Sequence, residues 1–164
     1  MIKACSDQPE PVEGEYPPAL AAIVALFEHL PEDEKRETLI SYADQAPRWV
    51  PAPGASFDLE DVRKDEECAD TVGIFLKVDP SRQAHFRVTL GPQVQILTRA
   101  MTSILCKGLD GATIERVLDV PADFVPKIVG GQLVRIRSQT VYYVLTRMKG
   151  VCRAFVNRER AAAL

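Results

Sequence analysis

Only two histidines, one tryptophan and four cysteines occur in the 164 residues, and no two cysteines stand in CxxC spacing. Zinc fingers, zinc ribbons and dithiol redox motifs all rest on such local pairs, so none has support here. A charge excess is missing too: 20 Lys and Arg against 23 Asp and Glu leave a formal net charge of -3. A phosphate-binding surface needs a clustered basic footprint, so nucleic acid is not an expected partner. No apolar run approaches the roughly 20 residues of a membrane span, and the opening stretch MIKACSDQPEPVEGEYPP lacks the apolar core of a secretory signal. The expectation is a cytoplasmic protein without a membrane partner. In that reducing compartment cysteines are thiols rather than disulfides.

What is present is an ordinary globular balance, 46% hydrophobic and 26% charged, enough for one core. Residues 1–16, polar and rich in Pro, Glu and Gly, read as a tail that carries Cys5. Residues 17–157 read as a single domain, and residues 158–164 as a C-terminal tail.

Within the domain, Pro17 and Pro18 suit a helix start, and Leu20, Ile23, Val24, Phe27 and Leu30 recur at helical spacing. His29 falls at that helix's end, where an imidazole can meet the last carbonyls. Pro31 and the acids after it open a second helix that Pro47 should end, with Glu32 and Arg36 as its favourable i,i+4 pair. The Pro-rich residues 47–57 read as a loop that Trp49 packs onto the body. Residues 59–64 read as a short edge strand. TVGIFLKV and AHFRVTL then alternate apolar and polar positions as an antiparallel hairpin, with His85 on the wet face. A strongly apolar central helix carries Cys106, with Lys107-Gly108 as its stop. Asp110 is placed to cap a short helix, a second short helix ends at Gly130-Gly131, and Ser138 opens the last helix, with Cys152 on its apolar stripe. Arg147, Lys149, Arg153, Arg158 and Arg160 lie toward the end of that helix, where cations suit the dipole. The order predicts an α+β domain: an antiparallel sheet of about three strands covered by helices.

Cys68 differs from the other three cysteines because it stands in the polar run RKDEECAD directly before a strand. Such a site exposes a thiol, which is one requirement of reactivity. The second requirement, a lowered pKa, is opposed by Asp65, Glu66, Glu67 and Asp70, which repel a thiolate. Local residues therefore leave two readings open, an incidental surface thiol and a functional one.

The segment Glu67, Cys68, Ala69, Asp70, Thr71, Val72, Gly73, Ile74 resembles the sulfur-acceptor motif Gly-Cys-x-Ser-x-Val-Trp of the SufE family, keeping the spacing from the cysteine to Val72. The stretch LFEHLPEDEKRETLISYADQAP resembles the family's first helical region, and LCKGLDGATIERVLDV a downstream one. Near the C-terminus LVRIRSQTV is similar to Leu-Ser-Pro-Ser-Arg-x-Asn-Gly, which places Arg137 on the family's arginine and Gln139 on its Asn or Gln.

The resemblance implies a fold similar to that of the iron–sulfur scaffold proteins and a role as a sulfur relay. Cys68 would accept sulfane sulfur from a cysteine desulfurase and pass it to an iron–sulfur scaffold complex. Arg137 would stabilise the thiolate, and Asp65, Glu66, Glu67 and Asp70 would meet the partner on a mobile loop. No cofactor is implied on this protein, pyridoxal phosphate belonging to the desulfurase, and a weak homodimer is an accompanying expectation. Two rivals stand beside this reading: a divergent member that only binds and activates a desulfurase, and an iron–sulfur or zinc scaffold formed by converging thiolates.

Overall fold

The protein is described by a computed structural model that covers residues 16–65 and 70–164; of Asp65 only the backbone is described. Cys5 and the rest of the expected N-terminal tail up to residue 15 lie outside the described residues. Helix α1 (Pro18–Glu28) begins on the tandem prolines and buries Leu20, Ile23, Val24 and Phe27. Its C-cap is His29, whose backbone amide rather than ring meets the Leu26 carbonyl at 3.2 Å. Tyr16, expected in the tail, already packs on the body, with its hydroxyl on Asp123 at 2.5 Å and its ring edge-on to Phe124.

Helix α2 (Glu32–Asp44) carries Glu32, Asp33 and Glu34 in its first turn and turns Leu39, Tyr42 and Ala43 inward. The ion pair along it is Glu32 with Lys35 at 3.8 Å rather than with Arg36, and at such an exposed carboxylate it contributes little. Pro47 does not start a loop directly: a 3₁₀ turn spans Ala46–Trp49, a conformation that accepts proline near its first position. Trp49 packs against the core as expected, and the Arg87 guanidinium lies over its ring at 5.3 Å.

Strands β1 (Leu59–Asp65), β2 (Asp70–Val78) and β3 (Ala84–Leu90) form one antiparallel sheet in the order β1-β2-β3. Alternation sends Val72, Ile74 and Leu76 of β2 and Ala84, Phe86 and Val88 of β3 into the core. On the same face β1 offers Leu59, Asp61 and Arg63, opposite Leu76, Ile74 and Val72. An edge strand with an inward carboxylate needs a partner for it, and that demand shapes the site below.

Helix α3 (Ile96–Leu109) is the centre of the core; Ala100, Met101, Ile104, Leu105, Cys106 and Leu109 are all fully buried. Gly108 does not stop it. A Cβ there would sit 3.0–3.1 Å from Leu20, so the glycine is where α1 crosses α3 closely. Asp110 is the C-cap of α3, not the N-cap of the next helix; Thr113 caps α4 (Ile114–Leu118) by accepting the Arg116 amide at 3.2 Å.

Helix α5 (Phe124–Val129) ends at Gly130, whose φ of 83° is the left-handed conformation that glycine adopts freely. Helix α6 (Gly131–Ala162) follows at once. Its helical path breaks at Arg137 (φ -128°, ψ 33°), so the segment that begins at Ser138 is the second part of a kinked helix. Residues 158–162, expected in a tail, continue α6: Arg158 donates to the Asp58 carbonyl, and Glu159 accepts from Arg82 at 2.7 Å.

Candidate functional site

Cys68, Glu66 and Glu67 lie outside the described residues, between two strands that are. The register of β1 and β2 closes on the pair Asp65 and Asp70, so residues 66–69 join strands paired up to their last residues. Asp70 is therefore the first described residue after Cys68. Its carboxylate accepts the backbone amides of Thr71 and Gln93, both at 2.7 Å. The Gln93 hydrogen bond, then that of Thr71, holds its pKa below the ordinary carboxylate value, with added attraction from Arg99 and Lys64.

These contacts tie the start of β2 to the loop between β3 and α3. Gly91 donates its amide to the Thr71 carbonyl at 2.9 Å, and a Cβ at Gly91 would overlap the Asp70 carboxylate. Arg99 braces the same loop, donating to the carbonyls of Gly91 at 2.7 Å and Val94 at 3.0 Å. Lys64 and Arg99 are thus cations beside the acidic flank of Cys68. No local motif marks Arg99, which is 31 positions away in sequence and arrives only through the turn at Gly91.

Arg137 is exposed at the kink of α6 and borders a polar recess of about 250 Å³ with Gln95, Ser138 and Gln139. Gln95 is the N-cap of α3, two residues after the Gln93 that Asp70 holds. The β3–α3 loop is accordingly the structural link between the Cys68 flank and the Arg137 neighbourhood.

Beneath the hairpin lies Arg147, which is 3% exposed and not the solvent-facing end-of-helix cation that its position in the sequence suggests. It donates to the Asp61 carboxylate at 3.0 Å, to the carbonyls of Asp61 at 2.7 Å and Val72 at 3.1 Å, and to the Tyr143 hydroxyl at 2.5 Å. One side chain of α6 thereby clamps both strands of the hairpin at adjoining positions. Charge-assisted bonds of this kind are the stronger class.

Cys106 and Cys152 are fully buried on the apolar sides of α3 and α6. Burial pushes both thiols up, Cys152 to about 12, so neither is a thiolate near neutral pH. His85, expected on an open wet face, instead bridges two carboxylates: Nδ1 with Asp110 at 2.9 Å and Nε2 with Asp79 at 3.1 Å. It joins the β2–β3 turn to the end of α3, away from the hairpin end that Cys68 adjoins.

A three-stranded antiparallel sheet, helices packed over its apolar face, and a hairpin braced by a kinked C-terminal helix define an α+β domain. The chain belongs to the SufE family, an Fe-S metabolism associated domain, which it matches over residues 21–152. Among solved structures it is similar to a hypothetical protein from Thermus thermophilus, determined in solution, with a TM-score of 0.65 and 23% identity over 87% of this chain and 99% of that one. At that identity the likeness speaks to the fold alone. No curated protein matches the sequence.

Proposed function

We propose that the protein is a cytoplasmic sulfur acceptor that takes sulfane sulfur onto Cys68 from a pyridoxal-phosphate-dependent cysteine desulfurase and hands it to an iron–sulfur assembly scaffold. The observation that carries the reading is membership of the SufE family across residues 21–152, and the resemblance of the Cys68 segment to the family's acceptor motif supports it.

In the transfer, the Cys68 thiolate attacks the terminal sulfur of the desulfurase persulfide. The donor's S–S bond breaks, a new S–S bond forms at Cys68, and the donor cysteine leaves as thiolate. The proton lost by Cys68 goes to solvent or to the departing thiolate, and no net oxidation occurs. The reaction needs no metal on this protein. It does need a thiolate in spite of Glu66 and Glu67, and positive charge supports that. Lys64 and Arg99, which act on Asp70 two residues from Cys68, are the candidates to supply it, and Arg137 is a third across the β3–α3 loop.

The rival scaffold reading requires several converging thiolates. Cys106 and Cys152 argue against it, since each is buried, held protonated by that burial and set on an apolar helix face. Incubation with a desulfurase and cysteine, followed by mass spectrometry, tests the relay. The expected result is a gain of one sulfur on Cys68 that is lost in Cys68→Ser. If Cys68→Ser stimulates the desulfurase as well as the unaltered protein does, the protein is an activator and the relay is wrong.

A further inference from the structure

Four large aliphatic side chains stand exposed together where α2, the start of α3 and the first part of α6 meet: Ile40 at 46%, Ile96 at 62%, Leu133 at 37% and Ile136 at 66%. Ile40, Ile96 and Leu133 line a shallow groove of about 410 Å³, and Leu133 and Ile136 line the adjoining cavity of about 510 Å³. Aliphatic groups clustered in this way mark an interaction site more often than chance exposure. The smaller groove has Arg36 and Arg137 in its wall and no carboxylate. Neither arginine has an ion pair or hydrogen bond among the described residues. The N-terminus of α3 opens onto the same place, with no acid in its first turn and no capping side group, so its dipole adds to the positive field.

We propose that this groove is the docking surface for an apolar segment of the desulfurase that carries a carboxylate at its flank. The aliphatic floor takes the apolar side chains, and the carboxylate meets Arg36, Arg137 and the positive end of the α3 dipole. A second copy of this protein is the other occupant, which the test below separates from the desulfurase. The choice of the sulfur donor rests on the relay reading, and on continuity. Gln95 of the groove is two residues from Gln93, which Asp70 holds by its amide, and Asp70 is two residues from Cys68. A partner seated here is therefore on the loop that anchors the Cys68 hairpin.

The test measures two quantities on the full-length protein with a cysteine desulfurase from the same genome: the Kd by calorimetry, and sulfur on Cys68 by mass spectrometry. Ile96→Glu and Arg36→Glu are each expected to weaken binding about tenfold or more, a loss typical of residues central to an interface. Arg36→Lys should keep most of the affinity, and Leu26→Glu, on an exposed part of α1 outside the groove, should leave it unchanged. Circular dichroism establishes that each variant is folded. An unchanged Kd in both groove variants overturns the docking surface even if Cys68 is loaded normally. Weakened binding without sulfur on Cys68 of the unaltered protein instead upholds the surface and refutes the relay. Absence of any binding refutes both, and a self-associating protein that Ile96→Glu renders monomeric without change in desulfurase affinity assigns the groove to a homodimer and overturns the proposal.

Discussion

The Asp70 carboxylate holds the Gln93 amide at 2.7 Å, joining the strand that follows Cys68 to the loop that starts the central helix. Because Gly91 lies against that same carboxylate, the two positions are coupled. Gly91→Ala is expected to destabilise the protein by about 1–3 kcal/mol, the usual cost of overpacking a filled site. Asp70→Gly also destabilises, but in that background Gly91→Ala should cost much less. Denaturant unfolding of the two single variants and the double variant measures the coupling; additive effects would show that the contact is not what constrains Gly91.

Asp70 also carries a pH signature. Its folded pKa lies below the unfolded value, so its contribution is present above about pH 3.9 and is lost as pH falls through the folded pKa. Acid unfolding of Asp70→Asn should accordingly show a weaker dependence on pH in that range than the unaltered protein.

Arg147 is expected to be the most sensitive charged position. Replacing it by Met leaves two strand carbonyls without their donor and the Asp61 carboxylate with only the Arg63 guanidinium at 3.5 Å, a loss of about 1–3 kcal/mol on the scale of unsatisfied buried polar groups. Lys keeps the charge but not the fork, so Arg147→Lys should recover only part of the stability. Urea titration checks the order Arg, Lys, Met. Equal stability of the Lys and Met variants would mean that charge is irrelevant there.

At His85, burial alone would lower the pKa, but the hydrogen bonds to Asp79 and Asp110 outweigh it and the net shift is upward. A raised folded pKa stabilises fully below the unfolded value of about 6.5 and loses that contribution as pH rises through the folded value. The melting-temperature advantage over His85→Gln should therefore be largest at mildly acidic pH and shrink above about pH 6.5. A pH-independent advantage would rule out the charged bridge.

The buried thiols predict a reagent pattern. In the native protein Cys106 and Cys152 should stay unmodified by an aromatic disulfide reagent, and should react once denaturant is added, because their thiolate form is suppressed and their sulfurs are out of reach. Prompt native reaction at either position would contradict the core placement.

Much of the fold was legible in the amino-acid order because its signals are local. Alternation in TVGIFLKV and AHFRVTL placed the inward residues of β2 and β3 correctly, and the stripes of α1, α3 and the second part of α6 marked the sides that are buried. Errors gathered where a residue's role depends on a distant neighbour. Gly108 looked like a helix stop but is a crossing point for Leu20, and Asp110 looked like a cap for α4 but holds His85.

The candidate site divides in the same way. The sequence by itself determined the family and the class of fold, and it is the source of the proposal for Cys68, since motif spacing and periodicity are properties of the polypeptide in one dimension. Only the tertiary structure decided what surrounds that cysteine's strands: Asp70 bound to Gln93, Arg99 bracing the β3–α3 loop, and Arg147 clamped on Asp61 from 86 positions away. The physical reason is that hydrogen bonds and charges act through space within a few ångströms, while a sequence records only distance along the polypeptide.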